Sequence, residues 1–319
     1  MLPELITEST AKTATSLVQA PDLRRRRLSL GLALAVLIAC FIKPLGELIA
    51  FAWNSDLYSH ILLIPFISLY LVWLEKRNLS FESGPAAWLA LFPATAGLAS
   101  LVVYWTVLAP TVRLAVDDYL ALMIFSFLSL VASLVFLFLG RTTLRRIAFP
   151  LAFLVFMIPF PAALVSRIEH ELQYGSAEVA NWLFQFAGTP VLKQDTFFQL
   201  PGFSLQVAPE CSGIHSSLIL FISSLLAGYV LLRTGWRRTA LALVVIPLSL
   251  LRNGFRIFVI GELCVHVNPD MINSFVHTKG GPIFFALSLV PFFLLLILLK
   301  RFENKAQANP NPTQVSSDL

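Results

Sequence analysis

The sequence predicts an all-α polytopic membrane protein with about eight transmembrane helices. Of its 319 residues, 57% are hydrophobic and only 13% are charged, whereas about a quarter of a soluble domain is charged. Uncharged apolar runs of about 18 residues or more, long enough to cross a bilayer, recur along the chain. The net charge of +5 does not indicate a nucleic-acid partner, because the basic residues stand in short clusters between apolar runs, which is a topology pattern.

Three regions follow from this pattern. We predict a cytoplasmic N-terminal tail over residues 1–27, a membrane-embedded domain over 28–300 with an outer loop at about 166–210, and a disordered cytoplasmic tail over 301–319. The eight predicted spans are Leu28–Phe51, Leu57–Leu74, Ala86–Ala109, Tyr119–Gly140, Ile147–Val165, Ile214–Leu232, Thr239–Ile260 and Pro282–Leu299.

The basic residues also predict the orientation of the spans. An even number of spans places both termini on one side, and that side holds 16 of the 23 Lys and Arg residues. Because cytoplasmic loops carry the excess of positive charge, both termini are expected in the cytoplasm. The first span is the least regular, since Lys43, Pro44 and Glu47 interrupt its outer half.

The long outer segment is expected to hold a surface helix followed by a β-hairpin. Between Leu164 and Phe186, apolar residues recur at near-helical spacing with glutamates on the other side. This pattern is typical of an amphipathic helix lying at the membrane surface. The Thr196–Val207 segment alternates around Pro201-Gly202, which predicts a small hairpin leading directly to a cysteine.

That cysteine, Cys211, is the most distinctive of three. An odd number of cysteines gives no disulfide framework, and no Cys or His spacing suggests a zinc site. Pro209 and Gly213 predict a sharp entry into span six, so the Cys211 thiol would feel the positive end of a helix dipole, which favours the thiolate. Cys40 and Cys264 are expected to be buried and inert.

Polar residues inside the spans concentrate late in the chain and on the outer side. Arg252, Asn253 and Arg256 lie in the outer half of span seven, where charged groups are costly and need a reason. Arg256 could stabilise a thiolate or an oxyanion, or extend to the outer headgroups. Arg252 lies one turn deeper on the same face, and physics alone does not separate the two arginines.

Several histidines could serve as the proton carrier beside a cysteine nucleophile. His215 is four residues from Cys211, and spacing alone slightly favours it. His266 and His277 are placed in the loop between spans seven and eight. His60, at the outer start of span two, could line the site or belong to an interfacial belt.

Three motifs, in this order, resemble those of the exosortase/archaeosortase family. The segment Ala208–Ile214 (APECSGI) resembles its cysteine motif, Asn253–Ile257 (NGFRI) its N-x-x-R motif, and His277–Gly281 (HTKGG) its H-x-x-x-G motif. Tyr58–His60 and Met157–Pro161 are similar to weaker hallmarks. The resemblance therefore extends from span two to span eight.

The resemblance implies roles for individual residues. Cys211 would be the nucleophile, His277 the acid/base, in preference to His215, and Arg256 the third member. Glu210 departs from the family pattern, in which a small residue commonly precedes the cysteine, and its carboxylate would oppose thiolate formation. The candidate supporting residues are Asn253, Arg252, His215, His60 and Gly281.

Family members of this kind process secreted proteins with a C-terminal sorting signal: a short motif such as Pro-Glu-Pro, a transmembrane helix and a basic tail. The resemblance thus implies a cysteine peptidase or transpeptidase of the bacterial inner membrane, with its active site facing the periplasm. It would cleave such PEP-CTERM-like signals through a thioester on Cys211. The expected partners are the substrate proteins, membrane lipids and, as a further candidate, exopolysaccharide machinery; no cofactor or metal is expected.

Three alternatives stay open at the level of sequence. A transporter would place polar residues near the bilayer midplane, often in two related halves, whereas these concentrate at one face. A membrane enzyme acting on lipid-linked sugars in polysaccharide export would use His and Arg without a thiol. A family member that lost catalysis could be an assembly factor, but Cys211, Arg256 and His277 are all present.

Overall fold

Long helices make up most of the structure, a computed structural model that describes residues 25–26, 28–76, 87–112, 114–139, 141–208, 212–268, 270–271 and 280–308. The helices are α1 (Leu28–Cys40), α2 (Ile42–Trp53), α3 (Ile64–Glu75), α4 (Ala87–Val103), α5 (Val116–Phe138), α6 (Arg141–Phe153), α7 (Ala162–Ala187), α8 (Ile214–Leu231), α9 (Gly235–His266) and α10 (Gly281–Ala308). Short strands β1 (Leu192–Gln194), β2 (Phe197–Leu200) and β3 (Phe203–Gln206) lie between α7 and α8.

The helices have the length and composition of membrane spans. Within the described residues, 5 helices can each cross a bilayer, or up to 7 if two bent helix pairs each count as one span. The segment Ser59–Glu75 is a shorter apolar helix. The chain is therefore an all-α polytopic membrane protein, as predicted. The predicted spans fall on these helices, and the first and fifth are each divided between two helices. The 5 uninterrupted helices are Trp88–Thr111, Val116–Phe138, Ile214–Leu231, Gly235–His266 and Gly281–Lys305.

The predicted irregularity of the first span is a bend. Helices α1 and α2 meet at Phe41 with an angle of 68° between them. Pro44 lies in the first turn of α2, where its missing N–H and fixed φ are tolerated.

The predicted end of the fifth span, Val165, was wrong. The helix continues as a short 3₁₀ turn and stops at Met157. Ile158 is extended, with ψ 117°, because the ring of the following Pro159 disfavours helical backbone at the preceding residue. The next helix, α7, begins at Ala162.

The chain divides into two compact units between Ala162 and Ala163. In the first unit, α4 and α5 pack closely through small residues. The Ser126 hydroxyl donates a hydrogen bond of 2.8 Å to the Gly97 carbonyl, and the Ser133 hydroxyl donates one of 3.0 Å to the Ala90 carbonyl. Small residues and serine hydroxyls of this kind stabilise helix pairs in lipid, where apolar burial drives no association.

In the second unit, the three-stranded antiparallel sheet covers α7 and α9. The predicted hairpin is confirmed: β2 pairs with β3 from Leu200–Phe203 to Phe197–Gln206. Gly202 in the turn has φ +74°, which glycine adopts without a Cβ clash. Strand β1, which the sequence did not predict, adds to the β2 edge. The shared core is formed by Ala177, Ala180, Phe184, Phe198, Leu200, Leu205, Val207 and Ile257.

Two glycines let α9 approach α7 closely. A Cβ on Gly254 would lie 2.6 Å from the Val179 Cβ and 2.9 Å from the Ser176 carbonyl oxygen. A Cβ on Gly261 would lie 2.4 Å from the Phe184 ring. These spacings are shorter than van der Waals contact, so the helix pair requires glycine at both positions.

The last helix is longer than predicted, which corrects the disordered tail over residues 301–308; the rest of that predicted tail, 309–319, lies outside the described residues. Helix α10 continues to Ala308. Its Glu303, only 4% exposed, accepts hydrogen bonds from the backbone N–H groups of Arg233 (2.9 Å) and Thr234 (2.8 Å) and from the Thr234 hydroxyl. Arg237 lies 3.4 Å from the same carboxylate. The carboxylate satisfies N–H groups at the start of α9, and this contact anchors the end of α10.

Gly254→Ala should destabilise the protein, because the added methyl group would overlap the α7 backbone at Ser176 as well as the β-branched side chain of Val179. Overpacking of this kind costs about 1–3 kcal/mol, which thermal unfolding of the detergent-purified protein would measure. The matched control is Gly235→Ala on the same helix, where a Cβ meets nothing within 4 Å. An unchanged melting temperature for Gly254→Ala would contradict the close α7–α9 contact.

Glu303→Ala should also lower the melting temperature, because it leaves the N–H groups of Arg233 and Thr234 without their carboxylate acceptor. Glu303→Gln should give a smaller loss, since the amide oxygen still accepts. Lys305→Ala, an exposed change on the same helix, is the control. Equal melting temperatures for the Glu303 and Lys305 variants would show that the hydrogen bonds of the Glu303 carboxylate contribute nothing to stability.

Candidate functional site

Two of the three residues predicted to react, Cys211 and His277, lie outside the described residues. Their chain neighbours are described. Ser212 and Gly213 follow Cys211 and lead into α8. Gly280, three residues after His277, is buried and accepts hydrogen bonds from the N–H groups of Ile283 and Phe284. Gly281 is the first residue of α10, and its Cα faces open space.

Gly213 makes the turn that starts α8. It is the N-cap residue and has φ +72°, a left-handed conformation that favours glycine. Its carbonyl accepts from the Ser217 N–H at 3.0 Å, the Ser216 hydroxyl at 3.0 Å and the Ser217 hydroxyl at 2.8 Å. The predicted sharp entry into span six is therefore present just after Cys211.

Arg252 and Asn253 of α9 hold this turn. The Arg252 Nη2 donates to the Gly213 carbonyl at 3.4 Å and to the Ser217 hydroxyl at 3.3 Å. The Asn253 Nδ2 donates to the Ser212 carbonyl at 3.3 Å and to the Ser176 hydroxyl of α7 at 3.1 Å. Both side chains are buried, with Arg252 8% and Asn253 3% exposed.

Arg256 lies one helical turn beyond Arg252 and is half-buried. Together with Asn253 it lines a cavity of about 20 Å³ between α9 and β3, which Gln206 borders from the strand. That volume holds about one water molecule. The Arg256 side chain thus borders a small, largely apolar cavity beside the strand that precedes the cysteine segment.

The described histidines differ in their surroundings. His215 lies half-buried in the first turn of α8. The loop position predicted for His266 was wrong: it is the last residue of α9, which extends beyond the predicted Ile260. Its exposed imidazole lies 3.2 Å from the Glu262 carboxylate, and Glu262 also accepts a bond of 2.5 Å from Thr189.

In the first unit, His60 belongs to a separate cluster. It is half-buried in a 3₁₀ turn, with its Nδ1 3.1 Å from the Leu57 carbonyl. The hydroxyl of the neighbouring Tyr58, 3% exposed, donates to the Phe160 carbonyl at 3.1 Å. The two weaker sequence hallmarks, Tyr58–His60 and Met157–Pro161, are therefore in direct contact.

The two other cysteines occupy different environments. Cys264 is buried in α9, as expected, with 2% of its surface exposed. Cys40 lies exposed at the end of α1, which differs from the buried position predicted for it.

Sequence reasoning missed the two serines, Ser176 and Ser217, that accept hydrogen bonds from Asn253 and Arg252. Ser176 lies on the buried side of α7, and Ser217 lies one turn into α8. The serines carry no motif of their own. Their only signal is a small polar residue at helical spacing in an apolar helix, which in lipid usually marks a helix–helix hydrogen bond.

Comparison with known proteins agrees with this arrangement of motifs. A protein-family model described as "Transmembrane exosortase" matches residues 52–294, which is most of the chain. The match includes the Tyr58–His60 segment and all three motif segments. No curated protein and no solved structure matches the chain.

Gly213→Ala should destabilise the protein more than Gly202→Ala does. Both positions have a positive φ, so both substitutions meet the steric cost of left-handed backbone, about 1–2 kcal/mol. Only at Gly213 would the methyl also press on a partner, since the Cβ would lie 3.1 Å from the Arg252 Nη2. At Gly202 nothing lies within 4 Å. Thermal unfolding of the two variants measures the difference, and equal losses would contradict a held Gly213 turn.

Proposed function

The chain belongs to the transmembrane exosortase family, and we propose that it is a membrane cysteine transpeptidase that cleaves C-terminal sorting signals of secreted proteins. Cys211 is the nucleophile, Arg256 stabilises developing negative charge, and His277 transfers protons. The enzyme works at the outer face of a bacterial inner membrane, with both chain termini in the cytoplasm.

One observation carries the proposal. Span seven is hydrogen-bonded, through Asn253 and Arg252, to Ser212 and Gly213, the two residues that follow Cys211. The motif that contains Arg256 therefore packs against the segment that contains the cysteine, although about 40 residues of sequence separate them. A nucleophile and a cation that act on one carbonyl must be close together in this way.

The chemistry proceeds by acyl transfer. The Cys211 thiolate attacks the carbonyl carbon of the scissile peptide bond, and the oxygen becomes an oxyanion. The Arg256 guanidinium, fixed in charge, stabilises that oxyanion. The C–N bond then breaks, His277 donates a proton to the leaving amine, and a thioester remains on Cys211. An acceptor nucleophile displaces the thiol and completes the transfer.

Membrane topology explains how such a substrate is presented. A secreted protein tethered by its own transmembrane helix exposes the preceding segment at the membrane surface. The Gly213 turn lies at the start of a bilayer-length helix, α8, and the motif of the substrate would be presented at this end of the helix. Tethering confines the substrate to this depth and raises its effective concentration. Exopolysaccharide machinery is a candidate source of the acceptor or a partner at this surface.

Thiol reactivity tests the nucleophile directly. In membranes treated with a limiting amount of a thiol-reactive probe, Cys211 should be labelled at least about tenfold faster than either Cys40 or Cys264, since activation raises the thiolate fraction. Arg256→Ala and His277→Ala should each slow the labelling of Cys211. Mass spectrometry of the labelled peptides measures all three cysteines in one sample, and Cys40 reports probe access to an exposed thiol.

Cleavage of a co-expressed reporter tests the reaction itself. The reporter is a secreted protein with a C-terminal Pro-Glu-Pro motif, transmembrane helix and basic tail, and its processing is followed by size. Cys211→Ala should abolish processing while leaving protein level unchanged, and Cys40→Ala should process normally. Normal processing by Cys211→Ala would refute the thioester mechanism and favour an enzyme of lipid-linked sugars or a transporter.

A further inference from the structure

Arg252 and Asn253 both contact the backbone that follows Cys211, and Asn253 also lines the cavity. We propose that they are positioning residues: they fix the Ser212–Gly213 turn and thereby hold the Cys211 thiol against Arg256. The inference rests on the proposed function, in which Cys211 is the nucleophile, and it extends that function to two side chains that do not themselves react.

The two side chains hold consecutive carbonyl groups. Asn253 donates to the Ser212 carbonyl and Arg252 to the Gly213 carbonyl, at 3.3 and 3.4 Å. Because a peptide unit is planar, fixing its oxygen also fixes its N–H and the flanking dihedrals. Two fixed planes in succession leave the chain little freedom just after Cys211, whose Cα is separated from that of Ser212 by about 3.8 Å.

Each side chain is itself held at a second point. Asn253 also donates to the Ser176 hydroxyl of α7 at 3.1 Å, and Arg252 to the Ser217 hydroxyl of α8 at 3.3 Å. The turn is therefore connected to α7, α8 and α9, and two of these helices, α7 and α9, pack through glycine contacts and a shared core. A turn held in this way stays in place when a substrate binds, which is the support that a reactive group requires.

The chemistry of Arg252 also points to a role beyond packing. It is 8% exposed, and its hydrogen bonds from Nη2 go to a carbonyl and a hydroxyl, both neutral. A buried cation is costly in a membrane helix, so a residue chosen only for packing would be apolar. The two N–H groups of Nη2 lie in the plane of the rigid guanidinium fork and reach two acceptors on one turn, a fixed geometry that a rotating ammonium group does not have.

The experiment compares Arg252→Lys and Asn253→Ala with the unchanged protein. Arg252→Lys keeps the charge and loses the fork, and Asn253→Ala loses the donor without a change in charge. The readout is the pH dependence of Cys211 alkylation by iodoacetamide in detergent-purified full-length protein. In both variants the pH midpoint of Cys211 alkylation should move upward, toward about 8.5, the ordinary pKa of a cysteine thiol. Labelling of Cys211 at pH 7 should fall at least about fivefold.

Two internal controls separate positioning from loss of fold. Cys264, buried in the same helix, should remain slowly labelled in both variants if α9 stays folded. Ser249→Ala removes a buried hydroxyl one turn before Asn253 that has no hydrogen-bond partner among the described residues, and it should leave the Cys211 profile unchanged. The other titratable groups of the proposed site and the residues flanking Cys211, namely Glu210, His215, Arg256 and His277, are the same in every variant.

The outcomes are distinct. An unchanged Cys211 profile in both variants overturns the inference, as does faster labelling of Cys264 that accompanies the change at Cys211, which would show a merely structural role. A normal profile in Arg252→Lys would show that Arg252 acts by charge alone. Because alkylation needs no substrate, these results do not depend on the reporter assay. If Cys211→Ala still processes the reporter, the proposed function fails by itself.

Discussion

The carboxamide of Asn253 lies at the point where three segments of the second unit meet. It donates to Ser176 on α7 and to the carbonyl of Ser212 at the start of α8, and it belongs to α9. A buried amide without partners costs free energy, so these contacts favour a single relative placement of the three segments. Gly254, the next residue, permits that placement, since any larger residue would contact Val179 and the α7 backbone.

The position of the sheet follows from the same contact between helices. Phe184 of α7 and Ile257 of α9 share one core with Phe198, Leu200 and Leu205 of the hairpin. The hairpin therefore rests on the surface that the two helices form together. Gln173 of α7 donates to the Val207 carbonyl at 3.2 Å, which holds the end of the hairpin as the chain turns towards Cys211.

The electrostatics of this region depend on the low polarity of its surroundings. Two arginines, Arg252 and Arg256, lie one turn apart on a helix of bilayer length. In a medium of low dielectric constant their charges act over a longer range than in water. Arg252 is occupied by the turn, whereas Arg256 lines the cavity beside β3. The two cations thus occupy different places, which spacing in the sequence did not distinguish.

The sequence by itself determined the class of the protein and the order of its elements. Apolar runs of bilayer length give the helices directly, because in lipid each backbone polar group must be bonded within its own segment. The Pro201-Gly202 turn and its alternating flanks gave the hairpin, because a local pattern determines that structure. The helix boundaries were less accurate, as at Met157, where Pro159 ends the helix earlier than apolar character indicates.

Only the tertiary structure decided which polar side chains meet. Ser176, Gly213 and Asn253 are far apart in the sequence, and none has a local signal for its partner; their contacts depend on how closely α7 and α9 pack. That distance is set by Gly254 and Gly261, whose importance lies in the space they leave for a neighbouring helix. Local sequence patterns identify each of these residues but do not give the distances between them, because those distances follow from packing across the whole second unit.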